Sequence, residues 1–104
     1  MSPKITHGRN YNFYQKVSVS SASFANDSDI TITFATYGLI LINEDTGSNV
    51  IEYSFNGTDL AGELVAGATS PSRMLTFNNR NVNAIWFRVK TGSSGTISVR
   101  VDAW

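Results

Sequence analysis

Apolar and polar residues alternate one by one over much of this chain, and that rhythm constrains it to β-structure. Ile30, Ile32 and Phe34 interleave with Thr31, Thr33 and Ala35, and Ile51, Tyr53 and Phe55 with Val50, Glu52 and Ser54. Ile85, Phe87 and Val89 interleave with Trp86, Arg88 and Lys90, and Ile97, Val99 and Val101 with Ser98, Arg100 and Asp102. Successive side chains of a strand point to opposite faces, so each stretch has one apolar and one mostly polar face. A sheet packed on a core with one wet side requires that pattern. Gly38-Leu39-Ile40-Leu41-Ile42 is apolar on both faces, which predicts a central strand covered twice. Val17-Ser18-Val19-Ser20 begins an earlier strand that extends toward Phe24, and Met74-Leu75-Thr76-Phe77 is a short one.

Turn residues separate these runs: Asn26–Asp29, Glu44–Gly47, Asn56–Thr58, Thr69–Ser72, Asn78–Asn81 and Gly92–Gly95. Gly and Asn supply the positive φ that tight turns need. The spacing is close to the 8–12 residues of a sandwich or barrel. The expected fold is therefore all-β, a single-domain antiparallel β-sandwich of about eight strands, jelly-roll-like or Ig-like. The last twenty residues read as two strands, Ile85–Val89 and Ile97–Trp104, paired through a Gly/Ser hairpin turn, with the final residue belonging to the sheet. Leu60–Ala66 is the one candidate for a helical turn, interrupted by Gly62.

At 104 residues the chain is one domain, since domains typically run about 100–150 residues. Residues 1–14 form an arm or a first strand, and residues 15–104 the sandwich. No cysteine is present, which removes disulfides and thiolate metal sites. Eight Lys+Arg balance eight Asp+Glu, so the basic excess of nucleic-acid binders is missing. No apolar run approaches the ~20 residues of a helical membrane span. Residues 1–8 lack the apolar core of a signal peptide, so synthesis in a cytosol is expected.

A search for reaction chemistry returns little. The single histidine, His7, lies in the N-terminal segment, away from any packed serine pattern, and a Ser-His-Asp arrangement needs a histidine held by packing. One histidine cannot supply the clustered ligands of zinc. Gly92-Ser93-Ser94-Gly95 lacks the strand-to-helix context and the lysine of a phosphate cradle. Glu52 with Glu63, or Asp27, Asp29, Glu44 and Asp45, are the carboxylates available for glycan hydrolysis. The last four fall in turns, where Asp serves backbone hydrogen bonding. Asn26, Asp27 and Asp29 could hold calcium only outside any defined motif. The sequons at Asn26 and Asn56 lie in Asn-rich turns without a secretory signal. No enzyme, cofactor or metal is expected.

What remains is surface chemistry. If the last two strands pair, Trp86, Arg88, Arg100 and Trp104 share one face, and Trp and Arg are enriched at interface hot spots. The alternative is that a second sheet or the N-terminal segment covers that face and the tryptophans are core. Tyr11, Phe13 and Tyr14 make the first segment aromatic, as either a frayed tail or an arm reaching a neighbouring subunit. Exposed Trp86, Tyr37 or Trp104 would also stack on sugar rings, so a carbohydrate-binding module is the main rival reading.

Asn78–Arg88, closing with Val99-Arg100-Val101-Asp102-Ala103-Trp104, resembles the C-terminal half of small virion proteins of tailed bacteriophages. Val50–Gly57 resembles the hairpin that precedes it in such proteins, so the similarity covers roughly the last 55 residues. The resemblance implies a non-enzymatic β-sandwich that decorates or cements a capsid, or serves as a small tail or fibre component. It implies a homo-oligomer, trimers favoured, docked on the major capsid or tail protein of the virion after synthesis in the host cytoplasm. It implies no nucleic-acid or membrane partner; a host glycan is the partner under the rival reading.

Overall fold

The computed structural model describes residues 13–24, 29–32, 35–67 and 73–104. The strands are β1 (Phe13–Val19), β2 (Asp29–Thr31), β3 (Gly38–Asn43), β4 (Ile51–Ser54), β5 (Gly62–Leu64), β6 (Met74–Asn78), β7 (Ala84–Val89) and β8 (Ile97–Ala103). They form two four-stranded sheets, ordered β1-β8-β3-β6 and β2-β7-β4-β5. Every pairing is antiparallel.

The order has a simple origin. β1 pairs with β8, β2 with β7, β3 with β6 and β4 with β5. That is one long antiparallel ribbon whose bend lies between β4 and β5. Folding the ribbon over on itself adds β3–β8 and β4–β7. The result is a jelly roll, one of the two sandwich types expected from the sequence.

Alternation places the core. Leu39 and Leu41 of β3, Val99 and Val101 of β8, Ile85 and Phe87 of β7 and Ile51 of β4 are all fully buried between the sheets. Burying each such side chain contributes roughly 1.5–3 kcal/mol before entropy is counted. At one end of the sandwich Tyr53, Phe55 and Phe77 pack edge to face, with centroids 5.6–6.1 Å apart. The Arg80 guanidinium caps that cluster 4.3 Å above Phe55. Burial pushes the Tyr53 phenol above its ordinary pKa, and the nearby Arg80 charge partly opposes it.

Buried polar groups tie the loops. Asn43 Nδ2 donates to Asn49 O (3.0 Å) and Leu64 O (2.9 Å), while its Oδ1 accepts from Asp45 N at 2.9 Å. Thr36 Oγ1 donates to Arg80 O (2.6 Å) and accepts from Val82 N (2.8 Å). These bonds satisfy groups whose unpaired burial would cost about 1–3 kcal/mol each.

Three expectations need correction. β7 and β8 do not pair: they lie in opposite sheets, and residues 90–96 cross between them. A two-residue turn forces its strands together, but seven residues reach easily across the ~10 Å between packed sheets. Val50 N donates to Ser93 Oγ at 2.8 Å, anchoring this crossing loop to the start of β4 instead. The helical turn is absent as well. Gly62–Leu64 is β5, with Leu64 buried and Leu60 exposed, so the two leucines do not share a face. Finally, β3 is an interior strand as expected, but its outward residues Ile40 and Ile42 are partly exposed rather than fully buried.

β1 begins at Phe13 and ends at Val19, beyond which Ser23 N and Oγ bond to Ser21 Oγ rather than continuing the strand. His7, Tyr11, Asn26, Asp27 and Phe34 lie outside the described residues.

Candidate functional site

Each sheet turns one face inward and one outward, and the outward faces are where a partner can act. On the β2-β7-β4-β5 sheet the pairing register sets Arg88 opposite Glu52, and Glu52 opposite Glu63. Arg88 Nε donates to Glu52 Oε1 at 2.7 Å, and Lys90 Nζ to Glu63 Oε2 at 2.9 Å. The hydrogen bond it donates to Glu63 raises the Lys90 pKa above its ordinary value. The Arg88 guanidinium also stacks 4.2 Å over the Phe24 ring. Trp86 lies half-buried against Gly57, whose φ is +79°; a Cβ there would come 3.0 Å from the indole Cε2. The 54–59 loop holding Gly57 is cross-linked internally, with Asn56 Oδ1 accepting from Thr58 N (2.9 Å) and Asp59 N (2.8 Å). Asn56, one of the sequon asparagines, thus spends its amide on its own turn.

The outward face of the β1-β8-β3-β6 sheet is different. Its register sets Tyr14, Asp102, Ile40 and Thr76 in one row, and Lys16, Arg100, Ile42 and Met74 in the next. Ile40, Ile42 and Met74 form an apolar stripe, with Met74 50% exposed. Tyr14, 57% exposed, flanks it under the Arg100 guanidinium, 4.6 Å away. Charges on this face are paired too: Arg100 Nη2 with Asp102 Oδ2 at 3.0 Å, and Lys16 Nζ with Glu44 Oε2 at 3.4 Å. The hydrogen bond to Asp102 raises the Arg100 pKa further above its already high value. No loop among the described residues plays the part here that the 54–59 loop plays over Trp86.

A further row lies at the end of this sheet. Trp104 N donates to Gly38 O (3.1 Å), and Trp104 O accepts from Tyr37 N (2.6 Å) and Gly38 N (3.2 Å). The indole lies across Gly38, where a Cβ would come within 2.6 Å of Cζ2. Asn78 of β6 stands opposite Gly38 on its other side.

The four Trp and Arg residues expected to share a face are therefore divided: Trp86 and Arg88 lie on one outer face, Arg100 and Trp104 on the other. Neither tryptophan is core. Phe13 and Tyr14 belong to edge strand β1, with Phe13 packed against the core and Tyr14 outward. Ile40, Ile42 and Met74 were missed as surface residues; the two-sided apolar character of Gly38–Ile42 signalled the first two, and nothing signalled Met74.

Carboxylates serve the fold. Glu44 accepts from Ser98 Oγ at 2.8 Å, and Asp45 Oδ2 accepts from Gly47 N and Asn49 N, each at 3.1 Å. Asp29 is in β2, opposite Trp86. Among the described residues no three His, Cys, Asp or Glu side chains cluster as metal ligands would. No family model, curated protein or solved structure matches this chain.

Proposed function

We propose that this protein is a non-enzymatic structural subunit that works by adhesion. It self-associates and seats on a repetitive protein surface through the outer face of its β1-β8-β3-β6 sheet, as a capsid decoration or cement protein of a tailed phage does. The virion is its place of action, after synthesis in the host cytoplasm. The observation that carries this reading is the apolar stripe of Ile40, Ile42 and Met74 on the outer face of strands β3 and β6, in a sheet whose strand β3 is apolar on both sides.

Magnitudes suit a repeated contact. Four strands ~4.8 Å apart, the longest seven residues, give a footprint of roughly 19 by 24 Å. That is well below the ~800 Å² each partner contributes to a standard stable interface. One contact is therefore weak, and a shell of many copies multiplies it. Pairing this face with itself closes a dimer, whereas the favoured trimer needs the face to meet a different surface of the next copy.

Native mass by light scattering, with co-sedimentation on phage particles, tests the proposal. Wild type should self-associate with rising concentration or sediment with particles, and Ile42→Lys should do neither while keeping the same far-ultraviolet circular dichroism. A wild type that stays monomeric and stays in the supernatant would refute it.

A further inference from the structure

We propose that Trp104, with Asn78 and Tyr37 beside it, is a stacking platform for a neutral pyranose sugar at the end of the β1-β8-β3-β6 sheet. A sugar ring offers a flat patch of C–H groups on one side and hydroxyls around its rim. Binding it takes an aromatic face held still and open, with planar polar groups at the edge. Trp104 meets the first requirement in two ways. Its backbone makes three hydrogen bonds to Tyr37 and Gly38, and its indole rests on Gly38 because that residue has no Cβ to displace it. Trp104 is nonetheless 40% exposed, so the indole that lies against the glycine also keeps surface open to a ligand. An aromatic group fixed before binding loses little freedom when a ligand arrives.

The rim is polar. Asn78 stands beside Gly38 in the register and is exposed, offering both a donor and an acceptor to neighbouring hydroxyls. Asp102, two residues before Trp104 on the same face, is engaged with Arg100, so these two side-chain charges are already paired with each other. Tyr37, 58% exposed, adjoins the platform in sequence and through its bond to Trp104. Trp86 offers no equivalent, because it is half-buried beside the 54–59 loop. The surface is flat, so a single sugar should bind with a dissociation constant on the order of 1 mM. Repetition on a particle would raise the apparent affinity by ~100-fold or more.

The test uses Trp86→Phe, which leaves Trp104 as the sole indole. Its fluorescence is titrated with methyl β-glucoside, methyl β-galactoside, methyl α-mannoside and N-acetylglucosamine oligomers, with Asn78→Ala and Trp104→Ala followed by NMR shifts of neighbouring amides. A saturable change with at least one sugar, weakened about 3- to 10-fold by Asn78→Ala and abolished by Trp104→Ala, is the expected result. The same titration in the Ile42→Lys background removes occlusion by self-association. No response in either background at tens of millimolar sugar would overturn the platform and leave the adhesion proposal standing.

Discussion

The two outer faces of this sandwich are built from similar sheets and finished in different ways. On the β2-β7-β4-β5 side the central row is Arg88, Glu52 and Glu63, each with an ionic partner, and Trp86 rests on Gly57 beside an internally cross-linked loop. On the β1-β8-β3-β6 side the outer face of β3 and edge strand β6 carries Ile40, Ile42 and Met74. Charges there sit around the stripe rather than on it. A half-wet sheet gains nothing from apolar residues on its wet face, and it is on this contrast that the proposed docking role of the face rests.

Strand β3 provides the sharpest way to break that comparison, because neighbouring residues point to the two sides. Leu41→Ala should destabilise by about 2–5 kcal/mol, the range for emptying a packed core site. Ile42→Ala, one residue on, should cost under about 1 kcal/mol in the free protein, as surface changes do. Chemical denaturation of both variants checks this, and equal losses would mean that the outer face is already covered within one chain.

The two tryptophan seats offer the next contrast. Gly57→Ala forces a side chain into the left-handed region, at about 1–2 kcal/mol, and pushes against the half-buried Trp86; a total near 2 kcal/mol is expected. Gly38→Ala meets Trp104 more closely, but its φ is ordinary and the exposed indole can swing away. Its stability should fall by less than about 1 kcal/mol, in the range of surface substitutions, while Trp104 emission shifts toward that of an indole in water. Thermal melts with fluorescence separate the two outcomes.

A smaller effect comes from the shared interior. The Tyr53 phenol has a pKa raised by burial, so the folded state keeps its proton where the unfolded chain has lost it. Its contribution is complete below the ordinary tyrosine pKa near 10 and is lost as pH rises through the elevated folded value. Stability should decline with alkaline pH above ~10, and Tyr53→Phe should flatten the decline.

Much of the fold was legible in the sequence because alternation reports which way a side chain points. Ile85/Phe87/Val89, Ile97/Val99/Val101 and Leu39/Leu41 all face the core as the pattern requires. Alternation says nothing about which strand lies alongside. β7 and β8 look like a hairpin because they are consecutive, yet β8 pairs with β1, far away in sequence, and with β3. The expected hairpin put Trp86/Arg88 and Arg100/Trp104 on one face, and the observed topology divides them. The two-sided apolar run of β3 was equally visible, but a sequence cannot say how far its outward residues, Ile40 and Ile42, are buried.

Site-specific photocross-linking tests the central claim most directly, because the two faces carry matched exposed threonines. Thr76 lies beside Ile40 on the β1-β8-β3-β6 face, and Thr31 beside Ala84 on the other. With benzoylphenylalanine placed at one or the other, irradiation of the concentrated protein should give covalent oligomers from position 76 and none from position 31. Oligomers from position 31 alone, or from neither position in a preparation that light scattering finds associated, would contradict the account.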